Sequence, residues 1–97
     1  FLRLWKGRCF MPVIYCRLNL FDAKQTVQLV DDVASSELAS VEMSELGHTI
    51  ATLCNDNEIF SVKIAGNPSY AESIADDVRV CNAFMYKNNT IEVEVIE

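Results

Sequence analysis

A chain of 97 residues, 51 % apolar and 23 % charged, has the size and composition of one folded domain. Its net charge of −6 is unevenly spread: Arg3, Lys6 and Arg8 stand among the first ten residues without an acid, leaving five basic residues against fourteen acids beyond them. Residues 11–97 therefore lack the clustered basic surface that direct nucleic-acid binding needs, and no apolar run of about 18 residues offers a membrane span.

Residues 1–10 show neither strand alternation nor a helical stripe, and regular structure is expected only after Met11-Pro12. Lys6-Gly7-Arg8 can be encoded by a purine run like a bacterial ribosome-binding site, at a suitable distance before a start codon for Met11. The segment is read as translated leader, with an N-terminal arm or short extra strand as the alternative. Residues 11–97 are read as the single domain.

Val13 to Phe21 alternates, with Ile14, Cys16, Leu18 and Leu20 on one side and Tyr15, Arg17 and Asn19 on the other. Asp22 to Gln25 reads as a polar turn, and Thr26 to Val30 resumes the alternation with Val27 and Leu29 inward. A helix is expected from a cap at Ser35 or Ser36 through Leu38, Val41, Leu46, Ile50 and Cys54. The alternative is a second cap at Ser44, which makes 45–54 the helix and 33–43 an irregular lead-in; Gly47 weakens either helix. Asn55-Asp56-Asn57 stops it. Ile59 to Ala65 is the third strand, with Phe60, Val62 and Ile64 inward and Lys63 outward.

Ser69 with Glu72 fits a capping box. The helix that follows lays Ala71, Ile74, Ala75, Val78, Cys81 and Met85 along one stripe and ends at Lys87 to Asn89. Thr90 to Glu97 closes the chain as a strand, Ile91, Val93 and Val95 inward, Glu92 and Glu94 outward. The expectation is an α/β two-layer sandwich of ββαβαβ order: a four-stranded mixed sheet with both helices on one face, because right-handed crossovers between parallel strands put them there.

Few residues carry chemistry. Cys9, Cys16, Cys54 and Cys81 form no C-x-x-C pair and stand at no metal-ligand spacing from His48, the single histidine. They read as free thiols in a reducing cytoplasm, and His48 as a solvent-facing helix residue. Asp76 and Asp77 are neighbours on a helix and splay apart, so no carboxylate dyad forms. No catalytic residue, metal or cofactor is expected. Gly66, Asn67, Ser69 and Tyr70 follow the carboxyl end of a strand and open a helix, where free amides and the helix dipole favour an anion. A plain turn and cap explains the same residues.

The stretch IFSVKIAGNPSYAESIADDV followed by TIEVEVIE resembles small uncharacterised α/β proteins of gut bacteria and their phages. The resemblance covers about 40 residues and implies a bacterial or phage cytoplasmic origin, without an activity or functional residues. The expected function is that of a non-enzymatic interaction or accessory protein acting through its exposed sheet face or edges. Tyr15, Arg17, Gln28, Lys63 and Glu92 line that face, beside Asn19, Thr26, Ser61 and Glu94. The expected partner is a protein, self-association into a homo-oligomer being open. The alternatives are an acidic inhibitor that imitates nucleic acid and an anion- or nucleotide-binding module at 66–70.

Overall fold

The alternation of Val13 to Arg17 and of the residues after Lys24 builds the hairpin at the centre of a mixed α/β sheet. The structure, a computed structural model, describes residues 3–5, 8–10, 12–31, 34–86 and 89–96. The elements are β1 (Arg3–Trp5), β2 (Arg8–Phe10), β3 (Val13–Arg17), β4 (Gln25–Val30), β5 (Ser35–Val41), α1 (Met43–Asn57), β6 (Ser61–Ala65), α2 (Pro68–Met85) and β7 (Glu92–Ile96). Strands β1 and β2 pair with each other, Arg3 opposite Phe10, in a separate antiparallel sheet. Regular structure thus precedes Met11, in strands too short for alternation to reveal.

Among the described residues the main sheet has five strands in the order β5-β4-β3-β6-β7. The pairs β3–β4 and β4–β5 are antiparallel, whereas β3–β6 and β6–β7 are parallel. The expected four-stranded sheet is corrected to five because residues 35–41 are a strand, not the first turns of a helix. The cause is a bulge. Val27 faces Ala39 while the next residue, Gln28, faces Glu37, so Leu38 is the extra residue. Leu38 and Val41 both pack on the core, and a spacing of three imitates helical periodicity.

Helix α1 follows directly. Glu42 stands extended at its N-cap without a side-chain bond, and Glu45 suits the positive first turn. Leu46, Gly47, Ile50, Ala51 and Cys54 are its buried stripe. It stops at Glu58, which takes the left-handed conformation (φ 58°, ψ 41°) and donates its N–H to the Cys54 carbonyl, and Ile59 N–H reaches the same oxygen at 2.9 Å. Helix α2 begins at Pro68, the favoured first position, and its cap is Asn67 rather than Ser69. The Asn67 side chain accepts the Ser69 N–H at 3.0 Å.

The buried faces of both helices and one side of the sheet enclose a single core containing Ile14, Cys16, Val27, Leu46, Ile50, Val62, Ile64 and Val78. The helices also touch each other: a Cβ built on Gly47 lies 2.4 Å from Asp77 Cβ.

Three further expectations are corrected at strand and helix ends. Strand β3 stops at Arg17, so Leu20 is exposed and Phe21 is 98 % exposed in the following loop. Gln25 belongs to β4 and is 2 % exposed. Its amide accepts the Asn19 N–H at 2.7 Å and donates to the carbonyls of Asn19 (2.9 Å) and Asp22 (3.3 Å), which closes the loop from inside. Met85 ends α2 exposed, because the buried stripe turns to Asn82 in the last full turn. The expected stop at residues 87 and 88 lies outside the described residues.

Candidate functional site

On the side of the sheet away from the core, strand pairing aligns one residue from each strand. Glu37 of β5 faces Gln28 of β4, Gln28 faces Tyr15 of β3, Tyr15 faces Lys63 of β6, and Lys63 faces Glu94 of β7. The row crosses all five strands. Tyr15 and Gln28 are half-buried, whereas Lys63, Glu94 and Glu37 are exposed. Lys63 Nζ lies 3.9 Å from Glu94 Oε1, a solvent-screened pair of little energetic weight.

Of the residues expected on this face, Tyr15, Gln28 and Lys63 are brought side by side. Arg17 is exposed beyond them, level with Ala65, and Glu92 is exposed opposite Ser61, outside the row. Asn19 is drawn into the loop instead, where its side chain accepts the Phe21 N–H at 3.0 Å. Glu37 joins the row only because residues 35–41 are a strand.

The loop at 66–70 is structurally committed. Gly66 has a positive φ of 134°, and a Cβ there would stand 3.1 Å from Leu18 Cβ. Its N–H donates to the Ile96 carbonyl at 3.2 Å. The Ser69 N–H is taken by the Asn67 side chain, and the Ala71 N–H by the Asn67 carbonyl at 2.9 Å. Pro68 has no N–H to offer. Tyr70 is half-exposed on the first turn of α2.

Sequence reading missed a cleft of about 340 Å³ with mixed polar and apolar walls where α2 meets the approach to β7, lined by Arg79, Asn82, Ala83, Asn89, Thr90 and Ile91. Its floor is an amide network. Asn55 Nδ2 donates to Asn82 Oδ1 at 3.0 Å, Asn82 Nδ2 donates to the Asn89 carbonyl at 2.9 Å, and Asn89 Nδ2 donates to Asn55 Oδ1. Asn82 is 4 % exposed. A polar residue four positions after Val78, on the buried stripe of α2, is the one signal of this network that the sequence carries. Arg79 at the rim donates to Asp76 Oδ1 at 3.0 Å and to the Val93 carbonyl at 3.3 Å.

Burial pushes the Cys16 thiol up to about 11 and the Cys54 thiol up to about 12. Both are protonated and poorly nucleophilic at neutral pH. His48 is exposed on α1, as its sequence position implied. Among the described residues no group of three or more His, Cys, Asp or Glu converges on a point, and no helix is long and apolar enough to cross a membrane. In comparisons with known proteins, no family model matches the chain and no curated protein matches it.

Proposed function

We propose that the domain is a non-enzymatic protein-interaction module acting through the sheet surface turned away from its helices. The observation that carries this reading is the aligned row Glu37–Gln28–Tyr15–Lys63–Glu94, a mixed polar and aromatic surface across five strands and opposite the core. Surfaces of that kind, with an aromatic residue at the centre and charge toward the rim, suit protein partners. The two helices cover the other side in a two-layer sandwich, so the row needs no part in folding. A reducing cytoplasm suits the free thiols Cys16, Cys54 and Cys81.

The test is site-specific photo-crosslinking in cells, with the photoreactive residue at positions 15, 28 or 63 on the sheet and at positions 48 or 73 on the helices. Adducts from the three sheet positions, and none from the helices, are the expected result. Adducts from the helices alone would refute the reading.

One observation favours a second reading. Glu42, Glu45, Asp56, Glu58, Glu72, Asp76 and Asp77 are all exposed along the helices and their caps. Arg79, the only lysine or arginine on the described helical residues, is paired with Asp76. A helix layer so charged fits an acidic inhibitor that competes with nucleic acid for a basic protein. Helix-only adducts to such a protein would support it.

A further inference from the structure

We infer that the edge of β7, which pairs with no further strand among the described residues, receives, with the α2 cleft beside it, an extended peptide strand that alternates lysine or arginine with apolar residues. The inference rests on the reading of the domain as an interaction module and names a second surface and the partner chemistry it selects.

Hydrogen bonds fix the direction of the backbone. Glu92 N–H donates to the Phe60 carbonyl at 2.8 Å, and the Ile96 carbonyl accepts from Gly66 N–H at 3.2 Å. Both residues therefore turn their backbone groups toward β6. Peptide groups alternate along a strand, so those of Val93 and Val95 point off the sheet. Among the described residues the one group that meets them is the exposed Arg79 guanidinium, on the Val93 carbonyl. An incoming N–H displaces it.

The two edges of the sheet differ. Strand β5 is bulged within its pairing, whereas β7 keeps unbroken register with β6 over Ser61–Ala65. A bulged edge resists strand addition and a regular one invites it.

Side chains set the partner's chemistry. Glu92 and Glu94 stand exposed on the open side of the edge. Lys63 compensates Glu94 from the inner strand, but Glu92 has only Ser61 opposite it. Cations on the added strand complete both positions, since opposite charges facing each other across strands are favourable. On the other side Val93 and Val95 pack on the core, and the cleft, whose walls include Ala83 and Ile91, accepts an apolar side chain. A second copy of this chain is a poor occupant, because β7 against β7 sets glutamates against glutamates.

The experiment is an NMR titration of the isotope-labelled full chain. The probe is a blocked hexapeptide alternating lysine and valine, and the control replaces each lysine with glutamate. The expected result is amide shifts at Val93, Val95, Ala83 and Ile91, weakened by salt. Binding should be about tenfold weaker for the glutamate peptide, the scale of two charge pairs reversed in sign.

Val95→Pro removes an outward N–H without touching a ladder bond and should abolish the shifts. Glu92→Gln with Glu94→Gln, which leaves backbone and volume intact, should weaken binding several-fold even if the proline variant fails to fold. Equal responses to the two peptides, or no shift at Val93 and Val95, would overturn the inference. Shifts centred on Tyr15, Gln28 and Lys63 would also overturn it, while leaving the interaction reading standing. Failure of that reading shows separately, as crosslinks confined to the helices.

Discussion

Gly47→Ala sets two well-calibrated effects against each other. In an isolated helix the change stabilises, by up to about 1 kcal/mol, because glycine surrenders the most backbone freedom. Here the new methyl lies 2.4 Å from Asp77 Cβ, 3.1 Å from its carbonyl carbon and 3.3 Å from its Cα. Comfortable carbon–carbon contact begins near 3.5 Å, and the obstructing atoms belong to the body of α2, not to the tip of a movable side chain. The helices must separate, which loosens the Ala51 and Ile50 packing beneath and strains the Asn55–Asn82 bond. Overpacking of this kind costs up to about 3 kcal/mol, so the net loss is roughly 2 kcal/mol, or a fall in Tm of about 10 °C for a domain this size. Urea and thermal unfolding followed by circular dichroism measure it. Asp77→Gly in the same chain removes the opposing Cβ, and a double-mutant cycle should return a favourable coupling of about 1 kcal/mol or more. If Gly47→Ala proves neutral or stabilising, the helices do not meet at this glycine and the packing argument fails.

Val62→Asp should unfold the domain, since Val62 is 1 % exposed in the middle of the sheet and a buried unpaired carboxylate costs several kcal/mol. The neighbouring Lys63→Asp should cost about 1 kcal/mol or less through repulsion from Glu94. Equal losses in chemical denaturation would mean that β6 is covered on both faces. Glu58→Gly should stabilise by about 0.5–1 kcal/mol, because Glu58 holds a φ of 58° that glycine adopts without strain; a loss of stability would show that its side chain does work the backbone argument omits. The thiols give a pH dependence. Cys16 and Cys54 ionise near 9.0 when unfolded and at about 11 and about 12 when folded. A raised pKa favours the protonated native state, so their contribution is complete below pH 9 and declines as pH rises toward 11–12. Alkylation at pH 8 should accordingly wait for unfolding, and rapid labelling of both in the native protein would contradict their burial.

Periodicity revealed most of the architecture. Ile14 and Cys16, Val62 and Ile64, and the stripe Ala71–Ile74–Ala75–Val78 each mark their element because uniform geometry repeats the buried position. The reading failed wherever one residue departed from that geometry. At Leu38 a single inserted residue converted strand spacing into apparent helix spacing. At Gln25 the polar side chain resembled a turn residue, yet three hydrogen bonds satisfy it inside. Asn67 and Ser69 are both good caps, and the proline between them in the first helical position decides for Asn67. Gly47 looked like a defect of α1 because its partner, Asp77, is far away in sequence. The site divides in the same way. Tyr15, Gln28 and Lys63 follow from alternation alone, whereas Glu37 required the bulged strand, and the cleft required three asparagines that no local pattern connects.

Those asparagines also explain how stability and surface are joined. An apolar residue at position 82 would extend the stripe of α2, and a buried amide contributes little net stability even when fully bonded. What the amide supplies is position. Asn82 holds the Asn89 carbonyl, Asn89 returns to Asn55, and Asn55 Nδ2 also reaches the Ala51 carbonyl at 2.9 Å. The carboxyl ends of both helices are thereby tied to the segment that leads into β7. Removing Asn82 would leave the Asn89 carbonyl without its buried donor and free that segment to shift. The segment carries Thr90 and Ile91 into the cleft wall and sets the register in which Glu92 meets the sheet. An amide network that adds little to folding is therefore well placed to keep the cleft and the charged edge in fixed relation, a requirement for any surface that recognises a strand by the alternation of its side chains.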